Sequence, residues 1–139
     1  MTAKCNLLVN CGETFGTVFI MKDSSGLKDL TGYTGTFTAR PYWDSNTVLM
    51  SLTTSNGGIV LGGTAGTVTL SCSSAVTRNI SIPTLNPAIE TRTIGKDQDG
   101  NSLNATGYIA PFQLELSNSG TVVRAIEGDL VISPALYKG

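Results

Sequence analysis

Chemistry in this 139-residue chain would have to come from few side chains, because it has no histidine and only 14% charged residues. Without imidazole, the usual general base, the common nucleophile dyads and the HExxH zinc motif are out of reach. Glycoside cleavage needs two carboxylates facing a sugar. Glu127 and Asp129 come nearest to that, and the plainer reading makes them solvated charges that discourage strand pairing. Lys96-Asp97-Gln98-Asp99-Gly100-Asn101 has some of a calcium loop's composition, but its Gly comes too early and no bidentate Glu closes it. The glycine clusters at 57–58 and 62–66 lack the Lys and helix of a phosphate loop and read as turns. Cys5, Cys11 and Cys72 form no C-x-x-C pair, and a structural zinc site takes four ligands, so they read as small buried hydrophobes. No metal, cofactor or disulfide is expected. Tyr42-Trp43 beside Asp44 is the remaining candidate: exposed aromatics stack on sugars or fill a partner's pocket, while packing in the core or at a sheet end is the plainer reading.

The elements that must position these residues are strands. Sixteen Gly and abundant Thr and Ser favour tight turns and pleated strands, and the length suits one domain with its own core. From Tyr33 to Arg40 the chain alternates strictly. Tyr33, Gly35, Phe37 and Ala39 point one way, while Thr34, Thr36, Thr38 and Arg40 point the other. Asp29 and Gly32 form the turn before it, with Gly32 at positive φ. Residues 4–11 place Cys5, Leu7, Val9 and Cys11 on one face, and residues 14–22 are apolar on both faces, as a central strand would be. Val68, Leu70 and Cys72 face inward from a further strand, and residues 73–78 allow one helical turn capped by a Ser hydroxyl. Residues 106–117 place Tyr108, Ala110, Phe112, Leu114 and Leu116 on one face, and the last strand, 121–132, is expected to bulge at Glu127-Gly128. The expected fold is a single-domain, all-β antiparallel sandwich of about eight strands.

Asp29-Leu30-Thr31-Gly32-Tyr33-Thr34, leading into a strand that ends at Arg40, resembles a turn-and-strand unit of small tailed-bacteriophage structural proteins. Similar β-domains form the N-terminal part of upper baseplate proteins. The segments Gly12–Asp23, Leu52–Leu61 and Gln113–Pro134 resemble that family's first strand, middle and ending, so most of the chain is covered apart from residues 79–105. The resemblance implies a non-enzymatic virion protein. It would be made in the host cytoplasm and assemble with itself and other virion proteins in the tail, baseplate or neck. A capsid decoration or cement protein is the alternative within that class, and a carbohydrate-binding module centred on Tyr42 and Trp43 the alternative from another.

Composition limits the partners further. A formal net charge of −1 and no Lys/Arg run give no nucleic-acid footprint. The start of the sequence lacks the apolar core of a secretory signal, and no apolar run is long enough to span a membrane, so neither a membrane nor secretion is expected. Residues 79–105 exceed the length of an ordinary loop. Pro83 and Pro87 would hold this segment extended, and Ile80, Ile82, Leu85, Ile89 and Ile94 would offer apolar contact to a neighbouring subunit. The segment is expected to be an assembly arm or a β-hairpin turning at Asp99-Gly100.

Overall fold

The computed structural model describes residues 3–24, 26–80 and 89–133. Strands β1 (Ala3–Lys4), β2 (Leu7–Asn10) and β3 (Phe15–Ile20) lead to the small ladder of β4 (Lys22–Asp23) and β5 (Gly26–Leu27). Then come β6 (Thr34–Ala39), β7 (Met50–Thr53), β8 (Ile59–Leu61) and β9 (Thr67–Cys72). A short helix, α1 (Ser74–Arg78), precedes β10 (Ile89–Lys96), β11 (Ser102–Asn118) and β12 (Thr121–Ser133). Eight of these strands have four residues or more, in line with the expected count.

The larger sheet runs β1/β2, β12, β11, β6, β7, with β10 also on β11, and the smaller sheet runs β3, β9, β8. Alternation decides which faces meet. Phe37 and Ala39 of β6, Leu52 of β7, Phe112, Leu114 and Leu116 of β11 and Leu130 and Ile132 of β12 share one buried cluster with Phe15, Ile59, Val68 and Leu70 of the smaller sheet. Burying a side chain of this size contributes about 1.5–3 kcal/mol. The two sheets touch closely at Gly35, where a Cβ would lie 3.3 Å from Ile59 Cδ1. The fold is an all-β sandwich.

Pairing departs from antiparallel at one place. β1 and β2 join β12 in parallel, in one common register (Lys4 with Glu127, Leu7 with Leu130). The single first strand expected from residues 4–11 is interrupted at Cys5-Asn6, where the Asn6 side chain accepts the Asp129 N–H at 3.1 Å. Gly128 faces this interruption, and a Cβ there would overlap the Cys5 carbonyl oxygen. Gly128 therefore serves close packing, and the bulge in β12 lies instead at Ala125: Glu115 pairs with Arg124 and Leu114 with Ile126. The skipped residue turns two consecutive side chains, Ala125 and Ile126, into buried positions.

β3 is an edge strand and not the central one its composition suggests. Among the described residues it pairs with β9 alone, and one face packs on the larger sheet while the other is uncovered: Phe15 is buried, and Val18 and Ile20 are exposed. β11 changes neighbours along one edge, pairing with β10 up to Tyr108 and with β6 from Phe112. Pro111 sits at the change: its carbonyl accepts the Arg40 N–H at 3.1 Å, and its missing N–H ends the ladder with β6.

The turn before β6 forms as its residues predict. Asp29 Oδ1 accepts from the Thr31 N–H at 2.9 Å and from its hydroxyl at 2.6 Å, and Tyr33 N–H closes on the Leu30 carbonyl at 3.0 Å. Gly32 has φ of 83°, the sign that a type II turn requires at its third residue. The nearest atom to an added Cβ is 3.8 Å away, so Gly32→Ala meets backbone strain and no clash. Urea unfolding should report a loss of about 1 kcal/mol, and an unchanged midpoint would refute the strain.

Candidate functional site

The turn that carries Tyr42 and Trp43 follows β6 and is pinned from below. Ser45 N–H bonds the Tyr42 carbonyl at 3.1 Å, Arg40 Nη1 donates to the Ser45 carbonyl at 2.9 Å, and Ser45 Oγ accepts from Thr47 N–H at 3.0 Å. Ser45 and Pro41 are buried, which fixes the turn to the sheet end. The aromatic pair itself is not packed away as core: Tyr42 is 61% and Trp43 58% exposed. The buried Pro41 and Ser45 take the inward positions of this turn and leave the rings outside.

Beside Trp43 the outward face of the larger sheet forms a groove of about 310 Å³, lined among others by Thr38, Arg40, Gln113, Glu115 and Arg124. Three strands supply it: β6 gives Thr38, β11 gives Gln113 and Glu115, and β12 gives Arg124. These are the polar partners of the same alternation that buries Phe37, Phe112 and Leu114. The groove is internally hydrogen-bonded. Gln113 Nε2 donates to Glu115 Oε1 at 2.9 Å, and Arg124 Nη1 donates to Glu127 Oε2 at 3.1 Å. The Arg124 guanidinium also lies 5.9 Å from the centre of the Trp43 ring, within cation–π distance. A wider cleft of about 610 Å³ lies between the 53–58 turn and α1, where Ser51, Ser71, Ser73, Asn56 and Cys72 line it without any charged side chain.

The described parts of the isoleucine segment, Ile80 and the residues from Ile89 onward, pack on the domain. Ile80 is 6% exposed and belongs to the core, because its N–H continues the turn of α1 onto the Thr77 carbonyl at 3.3 Å and directs the side chain inward. Ile82, Leu85, Pro83 and Pro87 lie outside the described residues, as does the side chain of Ile89. From Ile89 onward the chain is the hairpin of the two expectations: β10 pairs with β11 and turns at 97–101. It folds against β12. Arg92 Nε meets Asp129 Oδ2 at 3.0 Å, Asn6 Nδ2 donates to the Thr93 carbonyl at 3.0 Å, and Val131 and Ala105 are buried apart from the main core. Ile94 is half-buried on this hairpin. Asp129 is thus an ion-pair anchor and Glu127 a partner of Arg124, which replaces the reading of both as free edge charges.

Lys96–Asn101 is a turn with a carboxylate cap. Asp97 Oδ1 accepts from the N–H groups of Asp99 and Asn101, both at 2.9 Å, and Gly100 has φ of 85°. Bonding from Asn101 N–H, then from Asp99 N–H, holds the Asp97 carboxyl below the usual carboxylate range; the Thr31 hydroxyl, then the Thr31 N–H, does the same for Asp29. Both folded values are depressed, so the stabilisation is complete above the unfolded value of about 3.9 and is lost as pH falls through the folded value. The hairpin tip is expected to open in that acid window before the core unfolds. The protection factor of the Asn101 amide, its exchange rate relative to the intrinsic rate at each pH, should fall from pH 5 downward while core amides stay protected; simultaneous loss would count against it.

The three cysteines are free and half-buried, and burial raises each thiol above its ordinary value. They are neutral at pH 7 and poor nucleophiles. No group of three or more His, Cys, Asp or Glu side chains gathers as a metal site among the described residues. No helix among them is long and apolar enough to cross a membrane. Trp43 is the one residue of this groove that the sequence marks as a binding candidate; Thr38 and Arg40 are legible only as outward strand positions, and Gln113, Glu115 and Arg124 carry no signal of their own. No family model matches the chain, and no curated protein matches it either.

Proposed function

We propose that this chain is a structural protein of a bacteriophage particle, acting by contact between subunits in the tail, baseplate or neck, with capsid decoration as the alternative placement. The observation that carries the reading is the outward face of the smaller sheet. Val18, Ile20 and Val60 are 56%, 60% and 59% exposed there, and Val18 and Val60 flank Thr69 in register across β3, β9 and β8. The remaining outward positions are Gly16, Thr67, Thr69 and Ser71, so the face carries no charge. An uncharged, partly apolar sheet face of this kind suits burial against another subunit. Among the described residues β3 and β8 are the edge strands of this sheet, and an edge permits strand-to-strand pairing. The turn-and-strand resemblance at Asp29–Arg40 supports the same class.

The test is assembly. A Val18→Lys/Val60→Lys double variant should keep the wild-type circular dichroism spectrum, because both side chains are exposed, yet lose self-association and incorporation into particles. Unchanged incorporation would remove this face from the assembly. Genes flanking this one that encode portal, tail or baseplate proteins would support the class independently.

A further inference from the structure

We propose that the groove beside Trp43 is a binding site for a neutral saccharide, independent of the assembly face on the other sheet. A sugar ring presents an apolar C–H face and a rim of hydroxyls, so its site needs one exposed aromatic plane beside several fixed donors and acceptors. The groove supplies that combination. Trp43 is 58% exposed on a turn held by Arg40 and the buried Ser45, and the Arg124 guanidinium stands 5.9 Å from its ring centre, so a sugar would stack on the part of the ring that Arg124 does not cover. Thr38, Gln113, Glu115 and Arg124 line the groove with hydroxyl, amide, carboxylate and guanidinium groups.

The polar groups are already oriented by one another. The Gln113–Glu115 bond at 2.9 Å leaves a second amide hydrogen, the amide oxygen and the other carboxylate oxygen on these two side chains for ligand hydroxyls, while Arg124 is held on Glu127 at 3.1 Å. The two arginines at the groove, Arg40 and Arg124, are matched by two carboxylates, Glu115 and Glu127, so the local charge is balanced and favours a neutral ligand over an anionic one. A volume of about 310 Å³ is at the low end of small-molecule sites, suited to a short saccharide.

Trp43 is the only tryptophan, so intrinsic fluorescence reports on the groove directly. The wild-type chain would be titrated with glucose, galactose, rhamnose, N-acetylglucosamine and their disaccharides. A saturable emission change with at least one of them is expected. Calorimetry should then show affinity reduced at least tenfold, equivalent to about 1.4 kcal/mol, in Trp43→Ala and also in Gln113→Ala, with circular dichroism unchanged in both. Thr38→Val, which preserves shape and removes one hydroxyl, should weaken binding by a smaller factor. No saturable response across the panel would overturn the proposal, as would binding that survives both Trp43→Ala and Gln113→Ala. Capture of a protein partner that depends on Trp43, without any sugar response, would assign the groove to a protein contact and also overturn it.

Discussion

Gly128→Ala is expected to destabilise the fold by about 3 kcal/mol, although it adds a single methyl group. The new Cβ would overlap the Cys5 carbonyl oxygen, a backbone atom, and would stand 3.2 Å from Phe112 Cε2. Neither neighbour is the free end of a flexible chain, so relief requires β1 and β2 to move off β12. That movement breaks the Cys5 N–H to Glu127 carbonyl bond of 3.1 Å and the Asp129 N–H to Asn6 bond of 3.1 Å. Urea unfolding should show a lower midpoint with little change in slope, and Tm should fall by roughly 10 °C. Gly100→Ala is the control. Gly100 has φ of 85° and nothing within 4 Å of an added Cβ, so it should lose only about 1 kcal/mol of backbone strain. Equal losses at the two sites would show that β1 and β2 are not held closely against β12.

Phe112→Ala should cost about 3–5 kcal/mol, a large share of the 5–15 kcal/mol by which domains of this size are folded. Phe112 is buried in the central strand and stacks on Phe37 with ring centres 5.2 Å apart, so truncation opens a cavity that strands on both sides cannot collapse into. The variant should be partly unfolded at 37 °C and lose near-ultraviolet dichroism. Phe112→Leu, which keeps most of the volume, should retain both. A double-mutant cycle with Phe37→Ala should return a coupling of about 0.5–1.5 kcal/mol. A loss below about 1 kcal/mol for Phe112→Ala would mean that the two rings do not sit at the centre of the fold.

Local alternation made much of this architecture readable. β6, β9 and β11 each show period-two burial in the structure, with Gly35, Phe37 and Ala39 inside and Thr34 and Thr36 outside, because one strand face meets a core and the other meets water. Turn chemistry was equally legible at Asp29–Gly32 and Asp97–Gly100, where a side-chain oxygen and a positive φ act within a few residues. The misreadings were non-local. Val18 and Ile20 look like residues of a strand buried on both faces, and nothing in the strand itself shows that no second layer covers them. The bulge was sought at Gly128, but that glycine answers to Cys5, whose neighbouring residues pair with β12 from the other end of the sequence. Ile80 looked free because the two prolines that follow suggest an extended chain, and the inward turn at the end of α1 decides otherwise. The groove was half readable. Trp43 stood out, while Thr38, Gln113 and Arg124 are ordinary polar strand residues that only strand pairing brings to one place.

The parallel pairing of β1 and β2 with β12 also sets the order in which the chain can close. Leu7 pairs with Leu130, a contact that spans nearly the whole sequence, whereas β11 and β12 meet across a two-residue turn. Loop-closure entropy favours the near contact first and leaves the distant one until other strands have shortened the effective loop. On a ribosome the first strand emerges early and has no partner until the last is synthesised. Cys5 and Cys11, half-buried in the finished fold, stay open to solvent for that interval. Their loss of reactivity toward a thiol label therefore marks the moment at which the fold is sealed.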